Sequence, residues 1–199
     1  MRKLLMNIDY SKLNTQVRRD KAGLITEEME EVINNEKFKT IFLHLLHSSP
    51  YDEKAELSKY KNHTPEYIYS VIMKAAEVLN PEENYIMDLK VDDYYTFKNV
   101  IGHTYKSDPY IYTNTKYFDK WNTKKIGANF FHEWGHKLGF SHAFRNTKNR
   151  KYSLCYLMGK AYQMAWNEIY DKDTAHPSDK KLVCRRTWIF FKKCRWVNA

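Results

Sequence analysis

The segment Phe130 to His142, FFHEWGHKLGFSH, places three histidines and a glutamate at spacings that suit metal chemistry. If a helix runs from about Lys124 to about Leu138, His132 and His136 lie one turn apart. They are offset by about 40° around the axis and project from one face. Glu133 is turned by about 100° from His132, so it suits a base that reaches a metal-bound water better than it suits a ligand. Gly139 allows a positive φ just past the helix end, and the chain can then bring His142 back toward the other two imidazoles. Three neutral imidazoles leave a divalent ion its full charge and one open position for water, the arrangement a catalytic zinc requires. The implied reaction class is metal-assisted hydrolysis of an amide, with His132, His136 and His142 as ligands and Glu133 as general base.

HExxH alone is a weak pattern in a chain with 8 histidines. The addition of Gly139 and His142 at their positions makes it specific. HEWGHKLGFSH matches HExxHxxGxxH at every fixed position, and in this it resembles the metzincin clan of zinc metallopeptidases. The resemblance is specific over this motif and extends loosely over Tyr85 to Tyr170. It implies an α+β fold in which N-terminal helices and a small twisted sheet lie over the zinc-binding helix, with a short C-terminal subdomain below the cleft. It also implies a methionine-containing turn beneath the metal. Met158, before Gly159 and a helix expected from Lys160 to Tyr170, fits that turn; Met164 falls inside the helix and reads as core. Tyr156 is the candidate for stabilising an oxyanion, with Tyr152 as its neighbour. A substrate strand would add to the sheet beside Tyr110 to Thr115.

The elements that must position these residues can be read in outline. TEEMEEVINNEKFKTIFLHLLHS reads as one helix or a broken pair capped by Thr26. His44 and His47 lie in its apolar run without an acidic neighbour in sequence and read as core or boundary residues. TPEYIYSVIMKAAEVLN reads as an amphipathic helix with Thr64 as cap, Pro65 at its first position, Asn80-Pro81 as terminator and a stripe of Tyr67, Val71, Ile72, Ala75 and Leu79. Between Tyr85 and Phe118, YIMDLKVDDYYTF, NVIGHTY and PYIYTNTKYF read as three strands, with His103 structural on the second.

Apolar residues make up 43% of the 199, enough for one domain over 1–199, divided at about residue 139 into upper and lower parts. No stretch approaches a membrane span, and the N-terminal apolar run is too short for a signal peptide. A secreted or extracytoplasmic location would require an export signal removed from this sequence. Cys155, Cys184 and Cys194 permit one bridge, for which Cys184 and Cys194 are the plausible pair.

The formal charge of +9 is unevenly placed. Lys plus Arg equals Asp plus Glu at 20 each up to His142, whereas 13 face 4 from Ala143 onward, which accounts for the whole excess. The end of the chain interleaves these charges with Trp188, Phe190, Phe191 and Trp196. It suits either an anionic surface or a solvated strand end; no specific nucleic-acid partner is expected. The expectation is a monomeric zinc endopeptidase acting on a protein or peptide substrate, an acidic one if the basic segment walls the cleft. A zinc amidase on a non-protein amide would use the same chemistry, and a non-catalytic binding module would use the basic aromatic segment.

Overall fold

The computed structural model describes residues 2–48, 51–52, 55–143, 147–170, 180–187 and 191–198. Its first strand, β1 (Leu5–Asp9), is followed by helices α1 (Gln16–Ile33), α2 (Glu36–His47) and α3 (Pro65–Lys74). Strands β2 (Ile86–Tyr94), β3 (Gly102–Thr104) and β4 (Tyr110–Asn114) come next, then α4 (Thr115–Phe118), α5 (Thr123–Lys137) and α6 (Leu154–Tyr170). The fold is mixed α+β, with a four-stranded open sheet.

Local chemistry sets these boundaries. Thr15 caps α1 by accepting from the Arg18 N–H at 3.3 Å, so α1 begins well before the expected cap. Thr26 is interior, and its hydroxyl donates to the Ala22 carbonyl at 2.8 Å. The long helical pattern is a broken pair. Asn34 closes α1, and Asn35 caps α2 by accepting from Lys37 N–H at 3.0 Å. The Asn34 side chain also brackets Leu4, accepting from its N–H and donating to its carbonyl, both at 2.8 Å. That clamp feeds the chain into β1, a strand the sequence pattern did not reveal.

Thr64 caps α3 and Pro65 opens it as expected, but Ala75 takes a left-handed conformation (φ 55°) and ends the helix there. Leu79 thus falls outside the helix and is exposed; Tyr67, inside it, is exposed as well, whereas Val71, Ile72 and Ala75 are buried.

The sheet order is β1-β2-β4-β3. β1, β2 and β4 are mutually parallel, and β3 runs antiparallel to β4 at one edge. β4 is therefore paired on both sides. Tyr110 to Asn114 cannot accept an added strand, because their backbone groups already bond to β2 and β3; the edge is β3. His103 on β3 lies among aromatics, stacked on Tyr112 with ring centroids 5.0 Å apart, and burial lowers its pKa. His44 and His47 are exposed boundary residues, and His47 Nε2 lies 3.0 Å from Glu66 on α3.

α5 lies against β3 and β4 on one side and α6 on another, and it also contacts α1. The core between the helices is aromatic: Phe38 meets Phe131 edge-on at 5.5 Å, and Phe131 stacks on Trp134 at 5.8 Å. Two buried carboxylates tie the layers together. Glu28 accepts from Thr123 Oγ1 and from Trp166 Nε1, joining α1, α5 and α6. Glu77 accepts from Trp134 Nε1 at 2.6 Å and from the Asp88 N–H at 3.0 Å, joining α5 to β2.

Strands β5 (Lys180–Thr187) and β6 (Phe191–Asn198) form an antiparallel pair whose register sets Cys184 opposite Cys194. Trp188, Phe190 and the side chains of Phe191 and Trp196 lie outside the described residues. Among the described residues no helix is long and apolar enough to cross a membrane.

Candidate metal centre

α5 starts where Asn122 accepts from the Lys125 N–H at 3.1 Å and carries His132, Glu133 and His136 in its last turns. It ends as the motif requires. Gly139 has φ 90°, its N–H donates to the His136 carbonyl at 3.1 Å, and the Phe140 N–H reaches the Gly135 carbonyl at 3.0 Å. This pair of bonds is the Schellman arrangement, and it turns the chain back over the helix end. The reversal sets the Phe140 carbonyl 3.0 Å from His136 Nδ1 and returns His142 to the other two histidines.

One ligand nitrogen from each of His132, His136 and His142 lies within 4.8 Å of the others. The Nδ1 atoms of His136 and His142 face the carbonyls of Phe140 and Ala143 at 3.0 and 3.1 Å. His132 is hydrogen-bonded to the Cys155 backbone. A carbonyl only accepts, so His136 and His142 carry their protons on Nδ1 and present bare Nε2 lone pairs. His132 Nε2 and His142 Nε2 are 3.3 Å apart. A cation seated between these two nitrogens would be coordinated by both. Burial lowers the pKa of all three imidazoles, well below the usual range for His132 and to about 4 for His142, with Arg150 acting in the same direction on each. The donor set fits a zinc-like ion.

Glu133 points elsewhere, as its helical offset requires. It is buried, Asn129 Nδ2 donates to its Oε1 at 3.3 Å, and burial pushes its pKa up to about 7 against the opposing pull of Asn129, Lys137 and Arg150. Tyr156 packs beside the ligands, its ring 4.5 Å from that of His132 and 5.0 Å from that of His142. Tyr152 lines the same cleft, an open cavity of about 1140 Å³ that reaches from His132 and Glu133 along α5, between the Asn99–Gly102 segment and α6.

α6 begins at Leu154, ahead of the expected Lys160, so Met158 is helical and forms no turn. It is nevertheless buried beneath the motif helix: a Cβ placed on Gly135 would come within 3.1 Å of its sulfur. Met164 is 38% exposed at the cleft, so it is not core.

Three contributors were not singled out from sequence. Glu56, 1% exposed, accepts from the N–H groups of Ser58, Ser141 and Leu154 at 3.1, 2.8 and 3.0 Å. Lys137 is buried, and its ammonium donates to the carbonyls of Tyr105, Asp108 and Tyr110, fastening α5 to the β3–β4 connection. Arg150 sets its guanidinium 5.3 Å from the centre of the Tyr156 ring. A charged residue in a polar stretch carries no sequence signal that it will be buried. Comparison of the chain with protein-family models, curated proteins and solved structures returns no match in any of the three.

Proposed function

We propose that the chain is a zinc-dependent endopeptidase of metzincin type. The observation that carries this reading is the convergence of three burial-neutralised histidines within 4.8 Å, beside a buried glutamate that lies outside that group and lines a cleft. Bound there, zinc would polarise the scissile carbonyl and acidify a water. The protein's own part is to hold and move a proton. Glu133, with its pKa raised to about 7, takes one from water at neutral pH and returns it to the departing amine. Asn129 fixes the Glu133 carboxylate by its hydrogen bond to Oε1. Burial raises the pKa of Tyr156, so its hydroxyl keeps its proton and can donate to a developing oxyanion. Metal analysis combined with a peptide-library digest tests the reading. About one zinc per chain is expected, lost with His136→Ala, together with cleavage that a chelator abolishes. Metal-free protein that still cleaves at full rate would exclude it.

A further inference from the structure

The cleft beside the histidines is basic from more than one side. Lys125 of α5, Arg150 and Lys151 of the 3₁₀ turn Arg150–Tyr152, and Lys160 of α6 line it, and Glu133 is the one carboxylate among the lining residues described. Lys125, Lys151 and Lys160 are exposed and enter no ion pair among the described residues. Some basic groups elsewhere are matched, as where Arg18 meets Asp93 and Asp119 or Lys74 meets Glu83. Two of the cleft lysines rest on aromatic faces, Lys125 over Trp121 at 5.5 Å and Lys151 over Tyr152 at 4.9 Å. These contacts place the ammonium groups at the cleft without cancelling their charge, and they cover the ring faces on which a nucleic-acid base would stack. The remaining lining is suited to an extended backbone: the Asn99–Gly102 segment on one side and the amides of Gln163 and Asn167 on the other.

We propose that the cleft selects polypeptides carrying Asp or Glu next to the bond to be cut. The inference rests on the peptidase reading above and adds the substrate class. Several like charges around a concave, partly apolar site focus the potential and raise the local concentration of an anionic chain, while a basic chain is repelled. Arg150, Lys151 and Lys160 belong to the segment after His142 that carries the charge excess. Lys125 precedes the motif, in the region where charges balance, and adds a cation that a charge count along the chain would not place here.

The test is calorimetric binding to the zinc-loaded Glu133→Gln protein, which keeps the cleft walls and turns substrate over about 10²- to 10⁴-fold more slowly. The probes are three capped hexapeptides identical except for two central residues, both Glu, both Gln or both Lys. The glutamate peptide is expected to bind about tenfold tighter than the glutamine peptide at low salt, with the lysine peptide weakest. That preference should fall to about unity on adding Lys125→Gln and Lys160→Gln, and should shrink as salt screens it. Equal binding of all three peptides, or a preference that survives both substitutions, overturns the proposal. So does an oligothymidylate that displaces the glutamate peptide at equal concentration. Selective binding by a wild-type protein that hydrolyses no peptide would remove the peptidase reading and leave the acidic preference standing. Hydrolysis of the glutamate and glutamine peptides with equal kcat/KM and equal binding would do the reverse.

Discussion

Glu56 and His142 face each other across an isolated antiparallel bridge, and the Glu56 carboxylate reaches past it to the start of α6. The Leu57 N–H donates to the Ser141 carbonyl at 2.7 Å, so the third histidine is held on both its backbone and its flank. One buried side chain thus joins the return loop of the motif to the helix that carries Tyr156 and Met158.

Removing that carboxylate leaves three N–H groups, of Ser58, Ser141 and Leu154, without their acceptor. Each such group costs about 1–3 kcal/mol when it stays buried, although the loop can relax around the smaller side chain. Glu56→Ala is therefore expected to destabilise the fold by about 3 kcal/mol in denaturant unfolding. It should also weaken zinc binding about 10- to 100-fold in a chelator competition, because His142 loses its orientation. Wild-type zinc affinity in a stably folded Glu56→Ala protein would show that His142 needs no such support.

The glycines of α1 and α6 predict opposite outcomes for the same substitution. A Cβ on Gly159 would sit 2.9 Å from the Ala128 carbonyl oxygen and 3.8 Å from His132 Cβ, so α6 approaches α5 too closely for a side chain. Gly159→Ala should cost about 1–3 kcal/mol and lower zinc affinity by displacing His132. On Gly23 the nearest atom is the Tyr10 hydroxyl at 3.5 Å, an ordinary contact. Gly23→Ala should stabilise the protein by about 0.5–1 kcal/mol. Thermal unfolding of the pair reads both signs at once.

The motif was legible because its information is local. Helical periodicity puts His132 and His136 on one face, and Gly139 then does what a glycine after a helix ordinarily does. Gly159 has a different use, close helix packing, so reading Met158-Gly159 as a turn placed the start of α6 six residues late. Strand positions between Tyr85 and Asn114 followed from composition, whereas Thr115–Phe118, read as the end of the third strand, is helical because Asn114 caps it by accepting from the Lys116 N–H. Strand order depends on contacts across the sheet, and this is why β4, not β3, was expected at the edge. β1 was hidden because LMNID is short and its placement depends on Asn34, far along the chain. Glu56 and Lys137 act on backbone groups distant in sequence, which no side-chain pattern encodes.

Lys21 gives the fold a measurable alkaline signature. Its ammonium donates to the carbonyls of Phe118 and Trp121, and burial pushes its pKa down from 10.5 to about 8 while Asp119 pulls the other way. At this site the folded state binds fewer protons than the unfolded chain between about pH 8 and about pH 10.5, so the contribution of Lys21 to stability should rise with pH across that window. Lys21→Met should flatten this slope in urea unfolding measured at a series of pH values. A Lys21→Met slope identical to that of the wild type there would mean that the ammonium stays fully charged in the fold.

Substitution of Glu133 can separate coordination from the proton transfer proposed for it. Its carboxylate is buried and held by Asn129, and the ligand set that closes on a common point is His132, His136 and His142. Glu133→Gln keeps the side-chain volume, so no cavity opens behind α5, and it removes the ability to accept a proton at neutral pH. The variant should hold zinc with near wild-type stoichiometry and lose about 10²- to 10⁴-fold in kcat on a cleaved peptide, the range that general acid–base catalysis commonly contributes. Because the change removes a proton acceptor and leaves the cleft walls in place, KM should move far less than kcat. A folded variant that has lost its zinc would make Glu133 a ligand. One that keeps zinc and full kcat would assign the proton transfer to another group.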